Sequence, residues 1–216
     1  MKCPLCEETQ FNKVWHIHLA QMPIYHCLHC DLIHKDPKSF LSVPEEKARY
    51  DLHTNSEDEL GYLEFLSPVT RYLGEHYSLS SNKDLKILDY GSGPKPVLAN
   101  LLRETGFQVD IYDPFFAPEL AVFENKYDVI VSTEVVEHFH SPAEEFKRIR
   151  EILKQDGELV LMTQLHPGPV KFQEWWYPRD PTHVVFYSEK TMDWIRTHWN
   201  FKKLTVNPIL NMRLNS

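Results

Sequence analysis

The 216-residue sequence lacks any apolar run of the roughly 18–20 residues that a bilayer span requires. It also begins without the apolar segment of a secretory signal, so we expect a cytoplasmic protein with no membrane partner. Low-complexity tracts are absent, whereas 42% of the residues are hydrophobic and 12% are aromatic. This composition argues against a disordered chain and predicts one globular domain with a small appendage.

An excess of positive charge is missing too. The chain has 23 lysines and arginines against 31 acidic residues, for a net charge of −8. Domains that grip phosphate backbones are usually basic, so this balance argues against a nucleic-acid partner. Only residues 166–216 carry a positive excess, with seven basic and four acidic side chains. That segment either suits an anionic substrate or forms an ordinary solvated surface.

Cysteine is scarce and confined to the first 30 residues, where it forms the pairs Cys3/Cys6 and Cys27/Cys30. Two residues between thiolates let one tight turn direct both sulfurs at one ion, and a second such turn completes a tetrahedron. We therefore expect a zinc ribbon over residues 1–35, with Zn²⁺ in a structural role, since four thiolates leave no position for water. Two disulfides are the alternative, but a cytosolic chain keeps its thiols reduced. A redox motif would need only one pair and a strand–helix context.

The rest of the chain alternates apolar strand and helix patterns. A linker and helices are expected over residues 36–84, with the helical part at 44–77 broken near Gly61 or Pro68. An α/β core over residues 85–216 would hold a mostly parallel sheet of about six strands with helices on both faces. Expected strands are 86–90, 108–112, 127–132, 158–163, 201–206 and 209–213, and expected helices are 97–105, 143–155 and 188–199, the last capped by Ser188.

Ligands of such sheets bind beyond the carboxyl ends of the strands, and small or acidic residues follow two of these strands. The first strand ends in DYGSG at residues 89–93, where two glycines allow a tight turn and close approach of a ligand. Asp113 follows the second strand, where an acid can accept hydrogen bonds from both ribose hydroxyls. A dinucleotide fingerprint fails because its third glycine is replaced by Pro96. An acid at Asp89 instead suits a ligand that carries a cation.

Four segments in this order, ILDYGSGP, YDP, YDVIVSTEVVEHF and GELVLMT, resemble those of class I S-adenosylmethionine-dependent methyltransferases over about residues 85–165. The resemblance implies a Rossmann-like fold, methyl transfer and S-adenosylmethionine as the cofactor. It also implies the cofactor residues: Asp89, Tyr90, Gly91, Ser92 and Gly93 around the methionine part, Asp113 on the ribose, Pro114 and Phe115 beside the adenine, and Thr133, Glu134 and Val135 near the sulfonium.

Two features depart from that family. Lys95 occupies a position where the family often has a third glycine. Only 13 residues, 114–126, separate the second strand from the next one, too few for a helix, a strand and another helix. We therefore expect the usual third strand to be vestigial or missing, with the adenine covered by Phe115, Phe116 and the loop at 117–123.

For the acceptor side, we select His138 and His183 as candidate catalytic bases, because imidazole titrates near neutral pH. Glu137 and His166 also follow strands. Glu137 can bind a divalent ion or a neighbouring amide, and of these we expect a structural role. Residues 166–187 contain the run Trp175-Trp176-Tyr177, which forms a substrate lid or packs against the sheet. Residues Tyr50, His53 and Asn55 complete the pocket or lie on a helix surface.

The sequence as a whole favours a methyltransferase that acts on a small-molecule acceptor, at oxygen or carbon. The first alternative is a methyltransferase of RNA or protein that uses the zinc ribbon to recognise its substrate. A binding module that keeps the cofactor but has lost turnover is the second, suggested only by Lys95.

Overall fold

The computed structural model describes residues 1–19, 21–52, 60–77 and 85–206. The strand expected at 209–213 and the pocket residues His53 and Asn55 lie outside this part of the chain. The described strands are β1 (Phe11–Val14), β2 (Ile24–Cys27), β3 (Ile33–Lys35), β4 (Lys86–Tyr90), β5 (Gln108–Tyr112), β6 (Tyr127–Thr133), β7 (Leu153–Met162), β8 (Val185–Phe186) and β9 (Lys203–Val206). The α-helices are α1 (Val43–Tyr50), α2 (Leu60–His76), α3 (Val97–Glu104), α4 (Pro142–Ile152) and α5 (Glu189–His198).

A five-stranded parallel sheet of order β5-β4-β6-β7-β9 forms the centre of the molecule. Its strands are short apolar runs, as a sheet buried on both faces requires. The β4–β5 register pairs Lys86 with Gln108 and Tyr90 with Tyr112, so the two strands end level. The carboxyl ends of β4, β5 and β6 therefore meet at one edge, where the expected cofactor residues follow.

Helices cover both faces of this sheet, as expected. On one face, Ile87 of β4 and Val129 of β6 pack with α2 and α3. On the other, Leu88 and Ile130 pack with α4 and α5. Side chains that alternate along a strand point to opposite faces, so each strand contributes to both cores. This arrangement confirms the Rossmann-like α/β class.

The third strand that this family usually has is absent from the described residues, as expected. Residues 114–126, all of them described, contain a 3₁₀ helix at Leu120–Glu124 and one isolated bridge between Asp113 and Ala117, but no strand. The Tyr127 hydroxyl anchors this segment, since it lies 2.9 Å from a carboxylate oxygen of Asp110 and 3.0 Å from the Val122 carbonyl, either of which accepts its hydrogen. The short connection is thus confirmed as a loop, and β5 is an edge strand of the described sheet.

Two helix boundaries differ from those expected. The break in the N-terminal helical region falls between α1 and α2, whereas Gly61 and Pro68 lie inside α2. Helix α4 ends at Ile152 rather than at residue 155, because Leu153 pairs with Tyr127 and opens β7. Strand pairing here overrides a helical sequence pattern. Ser188 caps α5 as expected and accepts from the Thr191 amide.

The ribbon forms a second, antiparallel sheet of order β1-β2-β3-β8. Its fourth strand, residues 185–186, lies within the expected lid segment, and the Lys35 amide donates to the Val184 carbonyl at 2.9 Å. The ribbon is therefore joined to the core through this sheet. The division of the chain at residues 35 and 84 stays a prediction. Within the described residues, no helix is long and apolar enough to cross a membrane.

Candidate active site

A cavity of about 1180 Å³ lies beyond the carboxyl ends of β4, β5 and β6. The eleven residues that the resemblance implies for the cofactor line it, and so do both candidate bases, whereas the loop at 117–123, expected over the adenine, does not. Its lining includes Asp89, Tyr90, Gly91, Ser92, Gly93, Asp113, Pro114, Phe115, Thr133, Glu134, Val135, His138 and His183. The structure thus brings these thirteen residues together at one cavity, although their roles stay predictions.

The turn after β4 depends on its two glycines. Gly91 has φ +89° and Gly93 has φ +68°, values that residues with a side chain rarely adopt. A Cβ on Gly91 would lie 2.4 Å from a methyl group of Val135, whereas one on Gly93 would meet nothing within 4 Å. The hydroxyl of Ser92 is buried without a partner among the described residues. The turn is therefore packed on its inner side and open toward the cavity, with a polar group available to a ligand.

Two acids stand at the strand ends. Asp89 is 2% exposed, and burial raises the pKa of its carboxyl to about 7. The Asp113 carboxylate accepts from the amides of Gly93 at 2.9 Å, Phe115 at 2.9 Å and Phe116 at 3.1 Å. These three bonds tie the glycine turn to the loop after β5. Asp113 therefore fixes the shape of the cavity wall in addition to any contact with a ligand.

A pair of carboxyl groups follows β6. Glu134 is half-buried, with a strained φ of +51°, and Glu137 is fully buried in the 3₁₀ turn Val136–His138. The Tyr177 hydroxyl lies against both carboxyls, 3.0 Å from that of Glu134, and Thr163 donates to Glu137 at 3.0 Å. Burial raises the pKa of Glu137 to about 7, and burial together with the Glu137 charge raises the pKa of Glu134 well above its ordinary value.

The two candidate histidines face each other, with ring centroids 4.8 Å apart. Nδ1 of His138 lies 3.0 Å from the Thr182 carbonyl, and Nδ1 of His183 lies 2.9 Å from the Tyr177 carbonyl. Burial lowers the pKa of His183 to about 4, so this ring is neutral near pH 7. His183 is therefore a weak base, and its neutral ring keeps a lone pair on one nitrogen.

Sequence reasoning did not select several residues of this end of the cavity. Asp180 accepts from Arg49 of α1 at 2.9 Å, and its carbonyl accepts from the buried Lys35 at 2.9 Å. These contacts join the ribbon, α1 and the segment after β7. No local pattern marks them, because the partners are more than 130 positions apart. Sequence reasoning did not select the Tyr177 hydroxyl either, because the aromatic run that contains Tyr177 indicated packing or a lid.

Other residues of interest are not brought to the cavity. His166 uses both ring nitrogens elsewhere, on the Asp31 carbonyl and the Gly168 amide. Trp175 packs against Phe172 and Phe186 in a core beneath the ribbon sheet, and Trp176 is 50% exposed. A lid function of residues 166–187 stays a prediction.

Helix α1 closes the cavity from the opposite side. Its last residue, Tyr50, lines the cavity with its ring 5.4 Å from that of His138 and 5.6 Å from that of Phe115. The Tyr50 hydroxyl donates to Glu46 at 2.9 Å. The end of α1 thus lies between Phe115 and His138 at the cavity, the first of the two positions that the sequence left open for Tyr50.

The four cysteines form a separate cluster, with all four sulfurs within 4.8 Å of one another. The Cys3–Cys30 and Cys6–Cys27 sulfurs are 3.6 and 3.5 Å apart, too far for a disulfide. Tetrahedral zinc with Zn–S bonds of about 2.3 Å places its sulfurs about 3.8 Å apart. Each pair closes a similar turn, in which the following residue, Glu7 or Asp31, takes positive φ. This donor set fits one zinc ion.

Comparison with known protein families agrees with this arrangement. A family model described as a methyltransferase domain matches residues 62–206. No curated protein is significantly similar in sequence. Among solved structures, the chain is similar to the structure of the citrinin polyketide synthase CMeT domain, with a TM-score of 0.39 and 18% identity over 59% of this chain. The match spans 44% of that chain. Because the family model covers more than half of the sequence, the protein belongs to the S-adenosylmethionine-dependent methyltransferases of class I.

Proposed function

We propose that this protein transfers a methyl group from S-adenosylmethionine to an oxygen or carbon atom of a small molecule. The charge of the cavity wall is the observation that carries this proposal. Among the described residues, its lining contains one lysine, Lys95, and no arginine, against seven acidic residues: Glu46, Asp89, Asp113, Glu134, Glu144, Glu145 and Asp180. Such a wall repels a phosphate backbone and accommodates a neutral or cationic ligand.

The cofactor end of the cavity fits S-adenosylmethionine. Asp89 would face the ammonium group, whose charge favours the ionised carboxyl. The open side of the glycine turn and the unpartnered Ser92 hydroxyl would receive the methionine part. Asp113 would accept from the ribose, and Phe115 would lie beside the adenine. When bound, this cofactor supplies a methyl group on a positively charged sulfur, which an in-line nucleophile can displace.

The protein's own contribution is orientation and the exclusion of water. Tyr50 and the 177–183 segment enclose the end of the cavity where His138 and His183 lie. An acceptor hydroxyl or acidic carbon must also lose a proton, and these two imidazoles are the candidate groups to promote that loss. Glu134 lies beside them at the end of β6 and lines the same space.

Zinc would have a structural role in this function. Residues 1–35 are too few to bury a core of their own, and bound zinc supplies the missing stability. The ribbon sheet includes β8, which follows the loop that carries Asp180 and His183. The ion would therefore help to hold the acceptor end in place rather than act on the substrate.

Calorimetric titration of the zinc-loaded protein with S-adenosylmethionine and S-adenosylhomocysteine tests the cofactor. We expect micromolar affinity for both, at least a 100-fold loss in Asp113→Ala, and no change in Asp193→Ala, an exposed acid on α5. Absence of binding by the wild-type protein would contradict the proposal.

Transfer of a radiolabelled methyl group then tests the acceptor class. The enzyme is offered a small-molecule extract, total RNA and total protein in parallel. Label in the low-mass fraction is the expected result. Label in RNA or protein would favour a ribbon that recognises a polymer. Cofactor binding without transfer to any fraction would favour a binding module without turnover.

A further inference from the structure

A cluster of metal-ligating side chains lies at the acceptor end of the cavity. One ligand atom from each of Glu137, His138 and His183 lies within 4.8 Å of those of the other two. Glu137 and His183 are at least nine-tenths buried. Two imidazoles and one carboxylate can bind a divalent cation and leave several coordination positions open to water or substrate. Proton transfer alone would not require this combination.

The hydrogen bonds of the two rings match those of metal ligands. In both rings, Nδ1 lies within 3.0 Å of a backbone carbonyl. His138 contacts the Thr182 carbonyl, and His183 contacts the Tyr177 carbonyl. A carbonyl only accepts, so Nδ1 is the donor, and in a neutral ring the lone pair resides on Nε2. Metal-binding histidines are commonly oriented in this way. No hydrogen bond from the described part of the chain reaches Nε2 of His183.

The carboxyl groups supply a second, independent argument. Glu134 and Glu137 meet at one hydroxyl, that of Tyr177, which has a single hydrogen to donate. Neither glutamate forms an ion pair within the described residues. Two carboxylates this close repel each other unless a proton or a cation lies between or beside them. The neighbouring cations, Lys35 and Arg49, are both directed at Asp180 instead.

We infer that Glu137, His138 and His183 bind a divalent transition-metal cation that holds the methyl acceptor. Its open positions suit a molecule with two adjacent oxygens, such as a vicinal diol, a catechol or an α-hydroxy carbonyl compound. The choice of acceptor rests on the proposed function, whereas binding of the ion does not.

The ion would direct transfer to oxygen. A hydroxyl bound to a cation loses its proton to water more readily, because the positive charge stabilises the oxyanion. That oxyanion forms a bond to the methyl carbon as the carbon–sulfur bond breaks, and the electron pair of the broken bond stays on sulfur, which becomes a thioether. His138 and His183 then hold the ion rather than take the proton.

Titration of the zinc-loaded protein with Mn²⁺, followed by the electron paramagnetic resonance signal of the free ion, tests the inference. We expect one Mn²⁺ per chain in addition to the zinc. Affinity should fall at least tenfold in His183→Asn and in Glu137→Gln, and it should not change in His76→Asn, an exposed histidine at the end of α2. No uptake of Mn²⁺, or equal uptake by all variants, would overturn the inference.

Calorimetry with S-adenosylhomocysteine on the same samples separates this result from the proposed function. Cofactor binding without Mn²⁺ binding means that the metal site is wrong and methyl transfer stands. Mn²⁺ binding without cofactor binding supports the metal site and contradicts the proposed function. His138→Asn, whose ring is partly exposed, replaces any variant whose thermal melt shows that it has not folded, and the same tenfold loss is required of it.

Discussion

The two ends of the cavity are built in different ways. The cofactor end, where we propose that S-adenosylmethionine binds, consists of residues 89–93, 113–115 and 133–135, each at the carboxyl end of a strand of the parallel sheet. The acceptor end combines α1, the turn after β6 and the segment at 177–183, and its ion pair joins residues 131 positions apart. Local sequence patterns therefore locate the first end, whereas only tertiary contacts assemble the second.

The forces that hold the two ends differ as well. Backbone amides and packed glycines shape the cofactor end, as in the three bonds to Asp113 and the contact between Gly91 and Val135. Buried polar side chains and the ribbon sheet shape the acceptor end. We therefore expect perturbations to damage one end and spare the other, which can be measured.

Removal of zinc should have the largest effect. A structural zinc site contributes about 10–16 kcal/mol of apparent binding free energy, so chelation should lower the melting temperature by more than about 10 °C. Hydrogen exchange should show lost protection at residues 177–187, because β8 belongs to the ribbon sheet, while β4 keeps its protection. Equal loss in both places would show that the two ends unfold together.

Gly91→Ala should have the second-largest effect, and this effect should be confined to the cofactor end. Both Gly91→Ala and Gly93→Ala place a side chain at positive φ, which costs about 1 kcal/mol. Only the first also clashes with Val135, at 2.4 Å. We expect affinity for S-adenosylhomocysteine to fall more than 100-fold in Gly91→Ala and less than tenfold in Gly93→Ala, by calorimetry. Equal losses would mean that the contact with Val135 has no role.

Tyr177→Phe should affect the acceptor end alone. The change removes the hydroxyl that lies between Glu134 and Glu137 and leaves the ring in place. Loss of a buried hydrogen-bond donor to carboxylates costs about 1–3 kcal/mol. We expect the rate of methyl transfer to fall about 10- to 100-fold with unchanged affinity for S-adenosylhomocysteine. Tyr25→Phe, whose hydroxyl makes only a long contact of 3.5 Å to Asp36, is the control. A matching loss of cofactor affinity would contradict the separation of the two ends.

Arg49→Ala should have the smallest effect. The Arg49 side chain is 39% exposed and pairs with Asp180 across the acceptor end. Partly exposed ion pairs contribute about 0.2–1 kcal/mol. Urea unfolding should show a loss in this range, whereas Lys147→Ala, which breaks an exposed pair with Glu151 on α4, should show less. A larger loss in Lys147→Ala would mean that the Asp180 contact does not stabilise the acceptor end.

Prediction from the sequence succeeded where the signal was local. The bounds of β4 and β5 agree with those expected, because a short apolar run that ends in Gly or Asp-Pro indicates a buried strand. The missing third strand followed from chain length alone. The predicted end of α4 was wrong. The residues after Ile152 have a helical pattern, but the pairing of Leu153 with Tyr127 places them in a strand.

The sequence by itself determined the strands of the parallel sheet, the two Cys-x-x-Cys turns and the residues expected at the cofactor end. Each depends on the identity of neighbours within a few positions, since strands, tight turns and Cys-x-x-Cys loops are short-range structures. Only the tertiary structure decided that Glu137 and Tyr177 meet, that β8 completes the ribbon sheet and that Lys35 reaches Asp180. Such contacts depend on how distant segments pack, and burial then sets the charge state of the groups that meet there.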